Sequence, residues 1–286
     1  MKNQRIFFIT FILLTSVLFF FCCTGPSFCR LSSQEEEPPV QARLLVFDSD
    51  FSSAIKAGIY FNIRPGWHLY WINPGDSGMP PEITWNLPEG FKAGEVIFPV
   101  PQKFTKSGQV TYGFTEELLL LCEIETPEGF NPKAEEPFPI NAMIDWMVCR
   151  ESCALGRSEI SLILSEISPD DIETAKAIKQ NYPQAYPQSA DALDVIIHDI
   201  KRQTAGRNLI VEISLKGKDV SQIENFYPYP VDDFVLKQDK TGFEDGKIHL
   251  ELTPSGKTSA LSKIKGLLIT GRSGYEISIP MSENSQ

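Results

Sequence analysis

The sequence predicts an all-β chain: two β-sandwiches joined by a short helix and linker, after an amino-terminal export segment. Three observations predict it. Apolar residues recur with period two through most of the chain, Gly and Pro punctuate those runs, and one well-signalled helix falls between two such regions. At 286 residues the chain has room for two compact units after the export segment, each large enough to bury a core. Hydrophobic residues make up 42% and charged residues 22%, the balance of a globular chain. The formal net charge of −11 repels phosphate backbones and anionic headgroups, which argues against a nucleic-acid binder.

Lys2 and Arg5 precede an uninterrupted apolar run from Ile6 to Phe21, the layout of a secretory signal peptide, assigned to residues 1–29. Two other readings stay open. The run is only slightly short for a membrane anchor, and Cys22 or Cys23 could carry a lipid after cleavage, although bulky phenylalanines precede them. The chain is therefore expected to be exported, periplasmic or otherwise extracytoplasmic, with or without a tether at its amino end. Residues 30–41, acidic and proline-bearing, suit a flexible lead.

The first sandwich is expected over residues 42–166. Its strands are signalled by Leu44 and Val46, by Ile59, Phe61 and Ile63, by Trp67, Leu69 and Trp71, and by Ile83, Trp85 and Leu87. Ile140, Ala142, Ile144, Trp146 and Val148 form another run, followed by Ile160, Leu162 and Leu164. Pro65-Gly66, Asn73-Pro74-Gly75 and Pro88-Glu89-Gly90 mark tight connections. The helix and linker occupy 167–190: Ser168 can cap, Pro169 fits the first helical position, and Asp170 and Asp171 complement the dipole. Asn181 to Ser189, with two prolines, reads as the linker. The second, smaller sandwich follows over 191–286, with strands at Leu209–Leu215, Ile248–Leu252, Leu267–Ile269 and Tyr275–Ile279. Its histidines, His198 and His249, read as surface residues, and Trp67, Trp71 and Trp146 of the first unit read as core.

Six cysteines look like a disulfide framework until they are placed. Cys22, Cys23 and Cys29 belong to the export segment, and Cys122 shares a strand face with Leu118, Leu120 and Ile124, where a thiol acts as a small hydrophobe. Cys149 and Cys153 remain, flanking the bend of a hairpin. Three intervening residues let the two Cα atoms approach within the ~4.4–6.8 Å that a disulfide needs. So short a loop gains only about 2 kcal/mol in the chain-entropy model, so the bridge reads either as one that opens or as a passive hairpin bond. Arg150 would favour a thiolate and Glu151 would oppose it. Met143 and Met147, with the two cysteines, offer a soft ligand set suited to Cu(I) as a further alternative. A third keeps the chain as a non-enzymatic interaction protein with a static bridge. No serine-centred hydrolase motif or phosphate-cradling loop is present.

Pro65-Gly66-Trp67-His68-Leu69-Tyr70-Trp71-Ile72-Asn73-Pro74-Gly75-Asp76-Ser77-Gly78-Met79-Pro80-Pro81, then Tyr112-Gly113-Phe114, then Trp146-Met147-Val148-Cys149-Arg150-Glu151-Ser152-Cys153 resembles the amino-terminal domain of the DsbD and ScsB thiol:disulfide interchange proteins. The three-residue spacer is closer to the ScsB-like branch. The resemblance implies immunoglobulin-like β-sandwich domains and a protein-disulfide reductase-type component that needs no cofactor. It implies Cys149 and Cys153 as the redox pair, taking electrons from a membrane-embedded DsbD- or CcdA-like reductase. These would pass to exported thioredoxin-like or disulfide-isomerase proteins. It also implies an aromatic cap over the pair, matched here to Tyr112 or Phe114. Two departures stand out. Ala154-Leu155-Gly156 follows the second cysteine where the family often has proline, and the multi-span region and second Cys-x-x-Cys domain of full-length relatives are not in this sequence. Electrons are therefore expected to come from separately encoded proteins, or else the chain has lost the relay and kept the fold.

Overall fold

The alternating runs form strands in a computed structural model that describes residues 37–131, 139–256 and 260–281. The expected export segment, with Cys22, Cys23 and Cys29, and residues 30–36 of the lead lie outside the described residues. Among the described residues no helix is long and apolar enough to cross a membrane.

The amino-terminal strands are β1 (Val40–Val46), β2 (Ala54–Ile63), β3 (His68–Gly75), β4 (Glu82–Asn86) and β5 (Lys92–Ala93). They continue with β6 (Gln102–Lys106), β7 (Gln109–Thr115), β8 (Glu117–Glu125), β9 (Pro139–Cys149) and β10 (Cys153–Ile163). Among the described residues, one sheet runs β1-β2-β8-β5 and the other runs β10-β9-β3-β7-β6, with β4 also paired to β9. Their facing sides interdigitate: the Phe61 ring of β2 meets Trp146 of β9 edge-on at 5.9 Å. Ile140, Ala142, Ile144, Trp146 and Val148, the run that signalled β9, are all buried in this core. Trp71 and Trp146 lie in the core as expected, whereas Trp67 is only half-buried, because it sits at the turn where the sheet ends.

Helix α1 (Pro169–Asn181) begins with a complete capping box. The Ser168 hydroxyl accepts from the Asp171 backbone N–H at 3.2 Å, and the Asp171 carboxylate accepts from the Ser168 N–H at 3.0 Å. Such a cap stabilises a helix by about 1 kcal/mol. α1 sets Ala175 against the outer face of the first sheet, in a small cluster with Leu45, Phe47, Leu119 and Tyr182. The stretch read as a linker is tied down. Val100 donates its N–H to the Ala185 carbonyl at 2.8 Å, and the Tyr186 hydroxyl donates to the Leu119 carbonyl at 2.9 Å. Its last two residues form β11 (Gln188–Ser189).

The remaining strands are β12 (Ile196–Ala205), β13 (Asn208–Lys216), β14 (Asn225–Pro228), β15 (Phe234–Leu236) and β16 (Gly242–Glu244). β17 (Lys247–Pro254), β18 (Lys263–Thr270) and β19 (Ser273–Pro280) complete the set. They make a second pair of sheets, β11-β19-β18-β14 and β12-β13-β17-β15, with β16 beside β17. A second apolar cluster built around Val211, Ile213, Phe226, Leu250 and Ile279 fills it. The two sandwiches are not separated by solvent. Tyr227, Leu267 and Ile269 of the second belong to the core of the first, Tyr112 meets Tyr227 at 4.9 Å between ring centroids, and Trp71 meets Tyr229 at 5.1 Å.

The Asn73-Pro74-Gly75-Asp76 step ends β3 and explains its own composition. Gly75 has φ +91, and a Cβ there would lie 2.2 Å from the Val110 carbonyl oxygen, so only glycine fits. Asp76 then holds Val110 from both sides, its N–H donating to the carbonyl at 2.8 Å and its carboxylate accepting from the N–H at 2.7 Å.

Candidate functional site

The cysteine pair sits at the tip of the β9–β10 hairpin. The register is unbroken from Pro139↔Ile163 to Cys149↔Cys153, so the alternation that buries Val148 brings the two cysteines directly opposite one another. Their Cα atoms are 4.1 Å apart and the sulfurs are bonded. Arg150, Glu151 and Ser152 close the bend, with the Arg150 N–H donating to the Ser152 carbonyl at 3.1 Å. The partners differ in access: Cys149 is 4% exposed, whereas Cys153 is open to solvent.

The bend is anchored from below. Trp67 donates its N–H to the Arg64 carbonyl at 3.0 Å across Pro65-Gly66, with Gly66 at φ +82, the proline-then-glycine arrangement of a type II turn. This turn presents the Trp67 ring to Arg150, whose guanidinium lies 5.2 Å from the ring centroid. Such a contact contributes about 0.5–1 kcal/mol at an exposed site. Farther down the hairpin, Arg157 and Asp145 are cross-strand partners with Nε 2.5 Å from Oδ1.

Cys149 lies on the outer face of its sheet, opposite to Val148, and yet it is buried. What covers it follows from the neighbouring strand. β3 pairs with the end of β9 so that His68 is opposite Cys149 and Leu69 is opposite Val148. The His68 ring packs against Tyr70 at 5.0 Å and Phe104 at 5.5 Å, forming an aromatic group on that outer face. Tyr70 is itself roofed by the chain at Gly78, where a Cβ would lie 2.3 Å from the ring. Burial, and then the charge of Lys106, hold His68 below its ordinary pKa.

The expected cap residues are placed elsewhere. Phe114 pairs with Leu69 and is therefore level with Val148 on the inner face, and Tyr112 follows the same alternation. Both are fully buried, Tyr112 between Trp71 and Tyr227. The strand period thus turns these rings into the core and away from the outer-face cysteine. His68, Tyr70 and Phe104 occupy the face that the cap reading required. Their common position rests on pairing between strands far apart in sequence, which no local pattern displays.

The Cu(I) set is brought together only in part, because Met143 stands apart from the cysteines. Met143, Met147 and Cys149 share one strand face, but Met143 is six residues from Cys149, about 20 Å along an extended strand. Cys122 is buried, its thiol donating to the Gly94 carbonyl at 3.6 Å, and burial pushes its pKa up, as suits an inert core thiol. His198 is exposed; His249 is partly so, its Nδ1 lying 3.8 Å from Glu212.

The family model for the thiol:disulfide interchange protein DsbD, N-terminal, matches residues 36–165, which contain the whole hairpin and the strands beneath it. The match is to that amino-terminal domain and covers somewhat under half of the chain. Among solved structures, the amino-terminal periplasmic domain of ScsB from Proteus mirabilis is similar at a TM-score of 0.54 and 16% identity, covering 85% of this chain and 92% of that one. That likeness is one of fold, and it extends beyond residues 36–165 into the second sandwich. The amino-terminal domain of Neisseria meningitidis DsbD in its reduced form is also matched, at 12% identity and a TM-score of 0.28, over 42% of this chain and 82% of that one. No curated protein matches the chain. Within the matched residues the paired cysteines occupy the tip of the β9–β10 hairpin, with Cys153 exposed.

Proposed function

We propose that the chain is an extracytoplasmic thiol–disulfide interchange module that carries an electron pair on Cys149 and Cys153. It receives that pair from a membrane-embedded reductase and delivers it to thioredoxin-like or disulfide-isomerase proteins. The observation that carries the reading is the asymmetric bond at the hairpin tip, with one sulfur open to a visitor and its partner enclosed. The DsbD family match supports it.

In the delivering direction the Cys153 thiolate attacks a partner disulfide, forming a mixed disulfide and releasing one partner thiolate. Cys149, held 4.1 Å away at the Cα, then attacks Cys153. The mixed bond breaks, its electron pair leaves on the second partner sulfur, and the module is left oxidised while the partner is left with two thiols. Exposure supports Cys153 for the first attack, because the attacking sulfur must reach the partner disulfide in line with the bond it breaks. Receiving electrons runs the same steps backwards.

Trapping tests this reading. Cys149→Ala removes the resolving sulfur and is expected to accumulate mixed disulfides between Cys153 and thioredoxin-like proteins in cells, whereas Cys153→Ala is expected to trap none. Absence of trapped partners in both variants, or a reduction potential below about −300 mV, typical of structural bridges, would overturn it.

A further inference from the structure

A sulfur as enclosed as Cys149 has little water to solvate the charge it must carry each time the bond opens or closes. Something in the protein has to meet that charge. The register leaves one side chain with acid–base chemistry directly across from it. His68 and Cys149 are opposed residues of antiparallel strands and project from the same face, an arrangement that sets Cβ atoms about 4.5–5.5 Å apart. The other groups around His68 cannot take this part. Tyr70 and Phe104 pack on its ring, Thr115 opposes it on β7, and Lys106 on β6 supplies a fixed positive charge. In the bend, Arg150 is engaged with Trp67, and Glu151 is exposed.

We propose that His68 is the proton partner of Cys149, accepting the thiol proton as Cys149 closes the bond and returning it as the bond opens. The inference rests on the interchange reading and names a residue for it. On closing, the Cys149 S–H proton passes to the imidazole and the sulfur attacks Cys153. The electron pair of the mixed disulfide leaves on the partner sulfur, and the imidazolium gives its proton to that thiolate or to water. Opening reverses each transfer, so no further oxidant or reductant is needed. Enclosure and Lys106 keep the imidazole neutral near neutral pH, which is the form that can accept a proton.

The test uses the purified chain with glutathione attached to Cys153 as a mixed disulfide, and follows release of glutathione by Cys149 in stopped flow across pH. The wild type is expected to resolve with a rate that levels off around neutral pH. His68→Phe is expected to be slower by about 10²-fold at pH 7, a usual size for one general base, and to recover as hydroxide rises. His68→Gln, which keeps a polar side chain but cannot hold the proton, is the second variant and is expected to behave alike. A loss of the same factor at every pH in both variants, or no loss, overturns the proposal. Because the assay contains no protein partner, it separates the two readings. Trapping without a His68 effect on pH dependence sinks only the proton role. A His68 effect without trapping sinks only the relay.

Discussion

The side-chain amide of Asn73 donates from Nδ2 to the Pro228 carbonyl at 2.8 Å, joining the end of β3 to the end of β14 through a buried hydrogen bond. The Asn73 side-chain oxygen, Oδ1, accepts from the Gly75 N–H at 3.1 Å and from Gln238 Nε2 at 3.4 Å. One side chain in the stretch that resembled the family thus serves the sandwich junction and not the sulfurs.

Asn73→Ala would strand the Pro228 carbonyl in a buried site, a loss of about 1–3 kcal/mol. Urea unfolding should show a lower midpoint, and labelling of Cys153 in the reduced protein should be unaffected under native conditions.

Gly156 lies beneath Trp146, and a Cβ there would come 2.4 Å from the indole nitrogen. Gly156→Val is expected to displace the ring and destabilise the fold by about 1–3 kcal/mol. Tryptophan fluorescence read beside the unfolding curve checks both effects.

The Tyr112 hydroxyl is buried and has no hydrogen-bond partner among the described residues. Tyr112→Phe should therefore leave stability unchanged or raise it by up to about 1 kcal/mol. The reactivity of Cys149 in the reduced protein should stay as in the wild type, whereas Phe104→Ala, which strips the outer face, should speed its alkylation. Peptide mapping after timed alkylation distinguishes them, and it should find Cys153 modified first, Cys149 later and Cys122 only on unfolding.

His68 also makes stability depend on pH. Its folded pKa lies below the ordinary 6.5, so the unfolded chain binds the proton more readily. Its contribution is therefore full above about 6.5 and is lost as pH falls through that value toward the folded pKa. Thermal unfolding between pH 8 and pH 5 should show a steeper decline for the wild type than for His68→Phe.

Local signals carried much of this fold. The alternation from Ile140 to Val148 located β9 and its buried face, and Ser168, Pro169 and Asp171 announced α1, because capping involves neighbours in sequence. Strand β12 escaped notice because both its faces are largely exposed and its period-two signal is faint. The spacing of Cys149 and Cys153 was enough to suggest their bond. The company they keep was not legible, since His68 reaches Cys149 only through pairing across eighty residues of chain. The inward turn of Tyr112 and Phe114 was hidden for the same reason: the Tyr-Gly step is recognisable, but which way its rings turn depends on the sheet.

Because Tyr227, Leu267 and Ile269 are rooted in the first core, the far sandwich cannot be swung aside without tearing apolar surface from its socket. The two sandwiches should tumble as one rigid body, not as beads on a string. Every residue of the carboxy-terminal strands is then held at a set distance and angle from the hairpin tip that bears Cys149 and Cys153.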